Sequence, residues 1–526
     1  MDKQKICLIN DSFPPAIDGV ANAVVNYGTY IQKNHGEAVV VTPFYPDADD
    51  TVFPFEVVRY PSIDITKAVG YRAGLPFDAD VMARLEGEGF DLIHSHCPIT
   101  STMLARTLRS RIDRPIVFTY HTKFDIDIAN AIRSHLIREE AARILVQNIS
   151  ACDEVWTVSR GAGENLRKLG YEGDYLVMPN GVDFPRGRVD EAAVAEATKD
   201  YDLPAELPVF LFVGRMMWYK GIRIILDALK MLDEKGHDFR MVFVGGGNDK
   251  DEITACCSAL GLDGKVLFTP PIRDRAVIRA WYCRADLFLF PSTFDTNGLV
   301  VREAAACGLG SMLVRGSCAA EDAEDGVSGV LIEENAASMA AALEKLLASR
   351  ETMRAVGEGA QRELYISWEE SVARAFERYG VVMEKYRCGE YNGRERDEGE
   401  IYHALGEVID RYNLAREYQR LARENAVLNY AGVRTGIEEE VERMRAMQAE
   451  DSVVAAMKLE ELRRRVADAR MRVLTGRQLL LADAENLRAD LRRRVQGMFD
   501  DILRPNDRFL SSPGRASAPY NQKKKR

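Results

Sequence analysis

The stretch that decides the fold runs from Phe290 to Gly308 and reads FPSTFDTNGLVVREAAACG. It opens with apolar residues, continues as a polar loop, and takes on a helical pattern near Gly298. A buried strand that leads through a polar loop into a helix is typical of a parallel sheet covered by helices. The first turn of such a helix leaves backbone N–H groups unpaired, so the amides of Gly298, Leu299 and Val300 could bind an anion.

Two carboxylates flank this junction between loop and helix. Asp295 lies in the loop, and Glu303 lies about one turn inside the predicted helix. Ligands of open α/β sheets bind outside the carboxyl ends of the strands, where both side chains are expected. Carboxylates accept hydrogen bonds from hydroxyls, and a helix N-terminus attracts anions. The combination predicts a ligand that carries both hydroxyl and phosphate groups.

A second charged loop follows another apolar run. Arg215 and Lys220 lie in this loop, which ends at Gly221. A guanidinium fork and a lysine point charge can together neutralise a diphosphate. A basic pair after a strand is more often solvated surface, but its position at the predicted sheet edge favours the same ligand site.

Up to residue 390, short β-branched apolar runs alternate with longer segments of mixed polarity. This alternation predicts an α/β protein with two Rossmann-like domains in tandem. We place the first at residues 1–190, the second at 191–366, and an amphipathic helix that closes this body at 367–390. The predicted strands are Ile6–Ile9, Ala38–Thr42, Leu92–His94, Ile116–Tyr120, Glu154–Val158, Val209–Val213, Arg240–Val244, Val266–Thr269, Leu287–Phe290 and Ser311–Val314.

The first domain offers further candidates for the cleft. Gly19 opens the helix after the first strand and lets a ligand approach the backbone. His121 directly follows a strand, although a lone histidine there is more often structural. His94 and His96 alternate along a strand, which places them on one face, where they either line the cleft or pack in the core. No third metal ligand is recognisable nearby, so we predict no metal site.

The composition indicates a soluble cytoplasmic protein of several domains. The 526 residues exceed what one hydrophobic core supports. The sequence shows neither a signal-peptide pattern nor an apolar run long enough to span a bilayer. The nine cysteines have no metal-ligand spacing, which favours reduced thiols.

Beyond residue 390 the composition changes to long charged helices. We expect an all-α extension at 391–510 and a disordered basic tail at 511–526. The extension could fold as a hairpin, self-associate as a coiled coil, or lie with its arginines on an acidic membrane surface; a solvated charged face is the simplest alternative. Its nearly balanced charges and few aromatic residues argue against a nucleic-acid partner.

In these residues the chain resembles the GT-B glycosyltransferases of retaining family 4, within the clan of glycogen synthases and mannosyltransferases. The resemblance covers about residues 5–386, and its motifs occur in the family's order. They are Gly19-Val20, Tyr120-His121-Thr122, Val158-Ser159, Pro179 to Asp183, Gly214-Arg215, Lys220-Gly221, Pro291-Ser292, Glu303-Ala304 and Trp368. The match at Trp368 implies that the helix at 367–390 returns to pack on the first domain. The runs His96-Cys97-Pro98, Tyr120 to Phe124 and Thr296 to Leu299 are most similar to bacterial diacylglycerol glucosyltransferases.

The resemblance implies roles for the candidates in the second domain. Arg215 and Lys220 would bind the donor diphosphate and stabilise the departing nucleotide. Glu303 would hold the ribose hydroxyls, and Asp295 would contact the sugar near the reacting centre. The amides of residues 298–300 would orient the sugar and the phosphate. Asp295 departs from the family, which usually has glutamate at this position.

In the first domain, Gly19 would contact the distal phosphate, and His121 would line the acceptor side and hydrogen-bond the sugar. Asp18 stands where the family has a first glycine. No metal or other cofactor is implied, since cations and helix termini neutralise the phosphates.

The resemblance implies a retaining transferase that moves a hexose from a nucleotide sugar, with UDP-glucose as the expected donor. Diacylglycerol or another membrane lipid is the expected acceptor, reached from the cytoplasm or by peripheral contact with the inner face of the membrane. Polysaccharide and small-molecule acceptors stay open. A different class is also open, namely an inactive scaffold that acts through its helical extension.

Overall fold

The computed structural model describes residues 3–16, 18–64, 72–76, 78–124 and 135–391, together with Arg464. The chain divides into two units, residues 1–403 and 404–526, and all the elements given below belong to the first unit. The predicted helical extension at 391–510 and the basic tail at 511–526 lie outside the described residues, apart from Tyr391 and Arg464.

The first sheet has seven strands in the order β3-β2-β1-β6-β7-β8-β9, and its paired strands run parallel. A small antiparallel hairpin, β4 and β5, is inserted after β3. The strands are β1 Lys5–Ile9, β2 Glu37–Pro43, β3 Glu56–Tyr60, β4 Ser62–Asp64, β5 Arg72–Gly74, β6 Leu92–Ser95, β7 Ile116–Tyr120, β8 Glu154–Thr157 and β9 Leu176–Val177.

The second sheet has six parallel strands in the order β12-β11-β10-β13-β14-β15. They are β10 Val209–Val213, β11 Arg240–Val244, β12 Val266–Thr269, β13 Leu287–Phe290, β14 Ser311–Val314 and β15 Val330–Ile332. The bounds of β10 to β14 are those predicted from the sequence. The expectation of an α/β fold with two Rossmann-like sheets is therefore confirmed.

Helices cover the sheets. They are α1 Gly19–Asn34, α2 Ala79–Gly87, α3 Thr100–Ile112, α4 His135–Ser150, α5 Arg160–Lys168, α6 Glu191–Thr198, α7 Ile222–Glu234, α8 Lys250–Ala259, α9 Arg275–Arg284, α10 Leu299–Ala306, α11 Ala336–Leu347, α12 Arg350–Glu363 and α13 Trp368–Arg387. The second sheet and its helices share one continuous apolar core. This core is contiguous enough to hold the loops at the strand ends in fixed positions.

In each sheet, the order of the strands reverses direction between two neighbouring strands. In the first sheet this happens between β1 and β6, and in the second sheet between β10 and β13. Loops on either side of such a switch point diverge and leave a crevice at the carboxyl ends of the strands, where open α/β sheets bind ligands. The topology therefore selects the loops after β10 and β13 as the walls of a site.

Helix α13 returns the chain to the first sheet. Its N-cap Ser367 forms a reciprocal capping box with Glu370. Trp368 and Tyr379 are fully buried in the core of the first sheet. The Val182 amide donates to the Ile366 carbonyl at 3.0 Å, so the two segments that connect the sheets are joined side by side. The domain bounds at residues 190 and 366 stay predictions.

A buried ion pair fixes the base of the first sheet. Arg109 on α3 and Asp153 before β8 approach to 3.2 Å, and their side chains are 1% and 2% exposed. The Asp153 carboxylate also accepts a hydrogen bond from the Ile116 amide at 2.8 Å. One carboxylate thus accepts hydrogen bonds from both the arginine and the first amide of β7.

Candidate active site

The loops after β10 and β13 meet through an ion pair. Lys220 ends a short 3₁₀ helix after β10, and its Nζ lies 2.6 Å from Oδ1 of Asp295. The other carboxylate oxygen of Asp295 accepts a hydrogen bond from the Ser292 hydroxyl at 2.6 Å. Lys220 is only 7% exposed, so its charge is compensated chiefly by protein groups. The pair places a cation and a carboxylate at the switch point.

Gly221 makes this close approach possible. Its φ is +76°, and a Cβ at this position would lie 2.3 Å from the Pro291 carbonyl oxygen. Only glycine adopts such a conformation without strain and leaves room for the neighbouring backbone. The Lys220-Gly221 motif is therefore explained by packing of one site loop against the other.

Arg215 supplies the second cation of this edge. Its side chain is exposed, and the guanidinium carbon lies 5.9 Å from the centroid of the Tyr219 ring. The Tyr219 ring packs against Phe294 with centroids 4.6 Å apart. An arginine above an aromatic face keeps its hydrogen-bond donors available to a ligand.

Glu303 is held by two residues of α9 that the sequence analysis did not identify. Arg275 Nη2 donates to Oε1 at 2.6 Å, and the Tyr282 hydroxyl donates to Oε2 at 2.9 Å. Burial raises the pKa of Glu303 above its ordinary value, although Arg275 and Tyr282 oppose the change. Arg275 also donates to Asp183 at 3.0 Å. Glu303 is thus positioned by a network that reaches the segment between the two sheets.

Helix α10 begins directly after Gly298. Gly298 has φ +57°, and its carbonyl accepts the first intrahelical hydrogen bonds, from Val301 and Arg302. The amides of Gly298, Leu299 and Val300 therefore precede the hydrogen-bonded part of the helix. Orphan amides at a helix start favour an anionic or hydroxyl ligand.

Three histidines of the first domain, His94, His96 and His121, form one buried group at the ends of β6 and β7. The rings of His94 and His96 lie 3.9 Å apart, which confirms that they share a face. His96 Nδ1 lies 3.0 Å from His121 Nε2. Burial lowers the pKa of His121 to about 3, so the imidazole is neutral near pH 7.

The loop before α1 differs from the expectation of an open anion site. The Asp18 carboxylate accepts hydrogen bonds from the amides of Val20 and Ala21 at 2.8 and 2.7 Å. The N-terminus of α1 is therefore already capped by a negative charge. A Cβ at Gly19 would meet no atom of the described residues within 4 Å.

Loops from the two sheets touch across the cleft. The Thr296 hydroxyl donates to the His121 carbonyl at 2.8 Å, and the Ser159 hydroxyl donates to the Thr296 carbonyl at 2.5 Å. Lys123 Nζ donates to the Thr293 carbonyl at 3.1 Å. These contacts bring the loop of Asp295 next to His121.

The structure thus joins Lys220 with Asp295 and brings the Asp295 loop to His121, whereas Glu303 is held separately. Sequence reasoning missed Arg275, Tyr282 and Ser292. Ser292 and Asp183 lay inside quoted motifs, so they could have been considered. Arg275 and Tyr282 had no signal, because their pairing with Glu303 depends on how two helices pack.

A second contact between the domains lies beside α5. The Glu321 side chain accepts a hydrogen bond from the Gly161 amide at 2.8 Å and pairs with Arg160 Nε at 3.2 Å. A carboxylate at a helix N-terminus is favourable, and this one comes from the other domain. The contact therefore favours the arrangement in which the cleft is bridged.

We expect Glu321→Gln to raise KM for the nucleotide-sugar donor predicted from the sequence about threefold to tenfold, because a partly exposed ion pair contributes about 1 kcal/mol. Initial-rate kinetics measure the change, and small-angle scattering should show a larger radius of gyration. Glu324→Gln, an exposed neighbour, is the control. An unchanged KM together with unchanged scattering would show that the contact has no such role.

Within the described ranges, no group of three or more His, Cys, Asp or Glu side chains is arranged to hold a metal ion. The same residues contain no helix that is both long and apolar enough to cross a membrane.

Two family models match consecutive parts of the chain. Residues 17–186 match the family described as Glycosyltransferase Family 4, and residues 194–363 match Glycosyl transferases group 1. Among solved structures, a sucrose-phosphate synthase from Thermosynechococcus elongatus superposes with a TM-score of 0.58 at 20% identity, over 73% of this chain and 100% of the other. HepE of Anabaena, solved with UDP, superposes with a TM-score of 0.58 at 18% identity, over 72% of this chain and 100% of the other.

Curated relatives include transferases with different acceptors. A D-inositol 3-phosphate glycosyltransferase of Xylanimonas cellulosilytica is 29% identical over 311 residues, which cover 56% of this chain and 73% of the relative. An alpha-monoglucosyldiacylglycerol synthase of Streptococcus pneumoniae is 22% identical over 58% and 69%. A GDP-mannose-dependent alpha-mannosyltransferase of Corynebacterium glutamicum is 24% identical over 62% and 76%.

Fold, site and comparisons define an enzyme, a glycosyltransferase of the GT-B fold. The chain belongs to glycosyltransferase family 4.

Proposed function

We propose that the protein transfers glucose from UDP-glucose, with retention of configuration, to a hydroxyl of diacylglycerol or another membrane lipid. The observation that carries the proposal is the Lys220–Asp295 pair at the switch point of the second sheet, 2.6 Å apart. A ligand that spans this pair meets a cation at one end. At the other end it meets a carboxylate that can accept hydrogen bonds from hydroxyl groups. A nucleotide sugar has this order of groups, with phosphate followed by hexose.

The leaving nucleotide is stabilised by charge. Lys220 and the exposed Arg215 bind the diphosphate, and the amides of residues 298–300 add dipoles of the same sign. Glu303 accepts hydrogen bonds from the ribose hydroxyls. Because Arg275 and Tyr282 each already donate to one carboxylate oxygen of Glu303, one of them must release that oxygen or share it with the ribose. No metal is needed in this scheme, because two cations and a helix N-terminus face the phosphates.

The acceptor reacts on the face from which the diphosphate departs. His121 is neutral near pH 7 and can share a hydrogen bond with a sugar hydroxyl. The leaving phosphate oxygen takes the proton of the acceptor hydroxyl as the new glycosidic bond forms. This route retains the anomeric configuration without a protein nucleophile.

The lipid acceptor is supported by two relatives named alpha-monoglucosyldiacylglycerol synthase, from Streptococcus pneumoniae and Acholeplasma laidlawii. The structural neighbour HepE, solved with UDP-glucose, supports the donor through its similar fold. The inositol 3-phosphate transferases have higher identity, 29%, and make a soluble phosphorylated acceptor the second candidate. Peripheral membrane contact and self-association through residues 391–510 are part of the proposal for the full chain.

A donor and acceptor panel tests this function. The full chain is incubated with UDP-, GDP- and ADP-sugars, each with a bacterial lipid extract or with inositol phosphate, in EDTA. We expect UDP release with UDP-glucose and the lipid extract, and no loss of rate in EDTA. Consumption of GDP-mannose alone would overturn the proposal that UDP-glucose is the donor. Turnover with inositol phosphate alone would overturn the proposal that the acceptor is a lipid. Turnover that stops in EDTA would overturn the metal-free scheme.

A further inference from the structure

The amide of Asn297 is buried without a partner. Asn297 is 8% exposed, and neither Nδ2 nor Oδ1 has a hydrogen-bond partner among the residues that the structure describes. Leaving a buried polar atom unpaired costs about 1 to 3 kcal/mol. A side chain with two such atoms is therefore expected to meet a polar ligand.

Two further unpaired atoms belong to the loop that faces Asn297. Nδ1 of His121 and the hydroxyl of Thr122 also have no partner within the described part of the chain. The Thr296 hydroxyl donates to the His121 carbonyl at 2.8 Å, so Asn297 and Thr122 each lie one residue from this contact. Orphan polar atoms from both domains thus flank one point of the cleft.

The chemistry of these atoms selects neutral hydroxyls. An asparagine amide donates two hydrogen bonds and accepts two, a threonine hydroxyl does both, and neutral His121 has one free nitrogen. None of them carries charge near pH 7, and the cation Lys220 is paired with Asp295, two residues before Asn297 in the loop. The part of a nucleotide sugar that offers several neutral hydroxyls is the hexose.

We propose that Asn297 is a specificity-determining residue that binds hydroxyls of the donor hexose, with His121 and Thr122 completing the polar wall. The proposal rests on the proposed nucleotide-sugar function and deepens it. A site built to hydrogen-bond a hydroxyl strongly rejects a substrate that lacks it, because the protein groups are then left unpaired. Asn297 thereby distinguishes one hexose from another, while Arg215, Lys220 and Glu303 recognise the nucleotide.

The test compares Asn297→Leu and Asn297→Asp with wild type, with Thr293→Val as a matched control because Thr293 is exposed in the same loop. We expect Asn297→Leu to lower kcat/KM for UDP-glucose about a hundredfold, and the Kd for UDP to change less than threefold. Asn297→Asp keeps the size of the side chain and a hydrogen-bond acceptor, so its loss of kcat/KM should be smaller. Equal losses in UDP affinity and turnover would overturn the proposal, since they indicate a distorted loop.

Monodeoxy analogues of UDP-glucose identify the contact. In wild type, removing the hydroxyl that Asn297 binds should lower kcat/KM at least tenfold, and in Asn297→Leu the same removal should cost less than threefold, because the interaction is already lost. Additive effects for every analogue would overturn the proposal. If the wild-type protein consumes neither UDP-glucose nor GDP-mannose, the proposed function itself is overturned. If the donor proves to be GDP-mannose, the same comparison is made with kcat/KM for GDP-mannose and the Kd for GDP.

Discussion

Lys220→Met is expected to lower kcat/KM for the nucleotide sugar by about three orders of magnitude, the loss typical of removing one preorganised charge from a developing anion. The methionine keeps the length of the side chain but removes the cation from a residue that is 7% exposed. It also leaves Asp295 without its partner at 2.6 Å. The leaving diphosphate then faces an uncompensated carboxylate, which adds repulsion to the lost attraction.

Initial rates of UDP release measure this effect. Lys230→Met is the matched control, because Lys230 lies on the following helix, α7, and forms partly exposed pairs with Asp233 at 3.4 Å and Glu234 at 3.8 Å. The control should keep nearly full activity. Circular dichroism should show both variants folded. If folded Lys220→Met keeps more than a tenth of wild-type kcat/KM, the phosphate role of Lys220 is wrong.

Asp153→Ala is expected to destabilise the first domain by about 3 to 5 kcal/mol, because it removes the buried carboxylate that pairs with the Arg109 guanidinium. Arg109 is 1% exposed, so water cannot replace the lost carboxylate. The Ile116 amide loses its acceptor at the same time. Urea unfolding followed by circular dichroism measures the change as a lower midpoint.

Two further variants isolate the cause of that loss. Asp153→Asn keeps an acceptor for the Ile116 amide and should be less damaging. The double variant Arg109→Met with Asp153→Leu removes both charges and should recover much of the lost stability, since a well-packed apolar pair can replace a buried ion pair. A cost below about 1 kcal/mol for Asp153→Ala would contradict the buried-pair account.

Strand positions were predictable where both faces of a strand are buried. The strands β10 to β14 are short runs with at most one polar residue each, and their predicted bounds agree with the structure. The sequence analysis missed β3, Glu56–Tyr60, and four shorter strands, β4, β5, β9 and β15. Strand β3 is at the edge of its sheet and mixes polar with apolar residues, and the other four have two or three residues each. Short edge strands carry little periodic signal.

The site could be predicted as a set of loops but not as a set of contacts. From the order of strands, loops and glycines we could predict that Arg215, Lys220 and Asp295 lie at one edge of the sheet. The ion pair between Lys220 and Asp295 and the clamp of Arg275 on Glu303 depend on distances set by packing across many residues. The cap of Asp18 on α1 had a local signal, because an aspartate directly before a helix is a common N-cap.

The anomeric configuration of the product tests the central claim most directly. The full chain is supplied with UDP-α-glucose and the lipid extract, and the purified glycolipid is analysed by proton NMR. The account predicts an α-glycosidic bond formed with release of one UDP per glucose transferred. A β-linked product would contradict the retaining route, and the absence of any glucosyl product with every donor of the panel would contradict the nucleotide-sugar function.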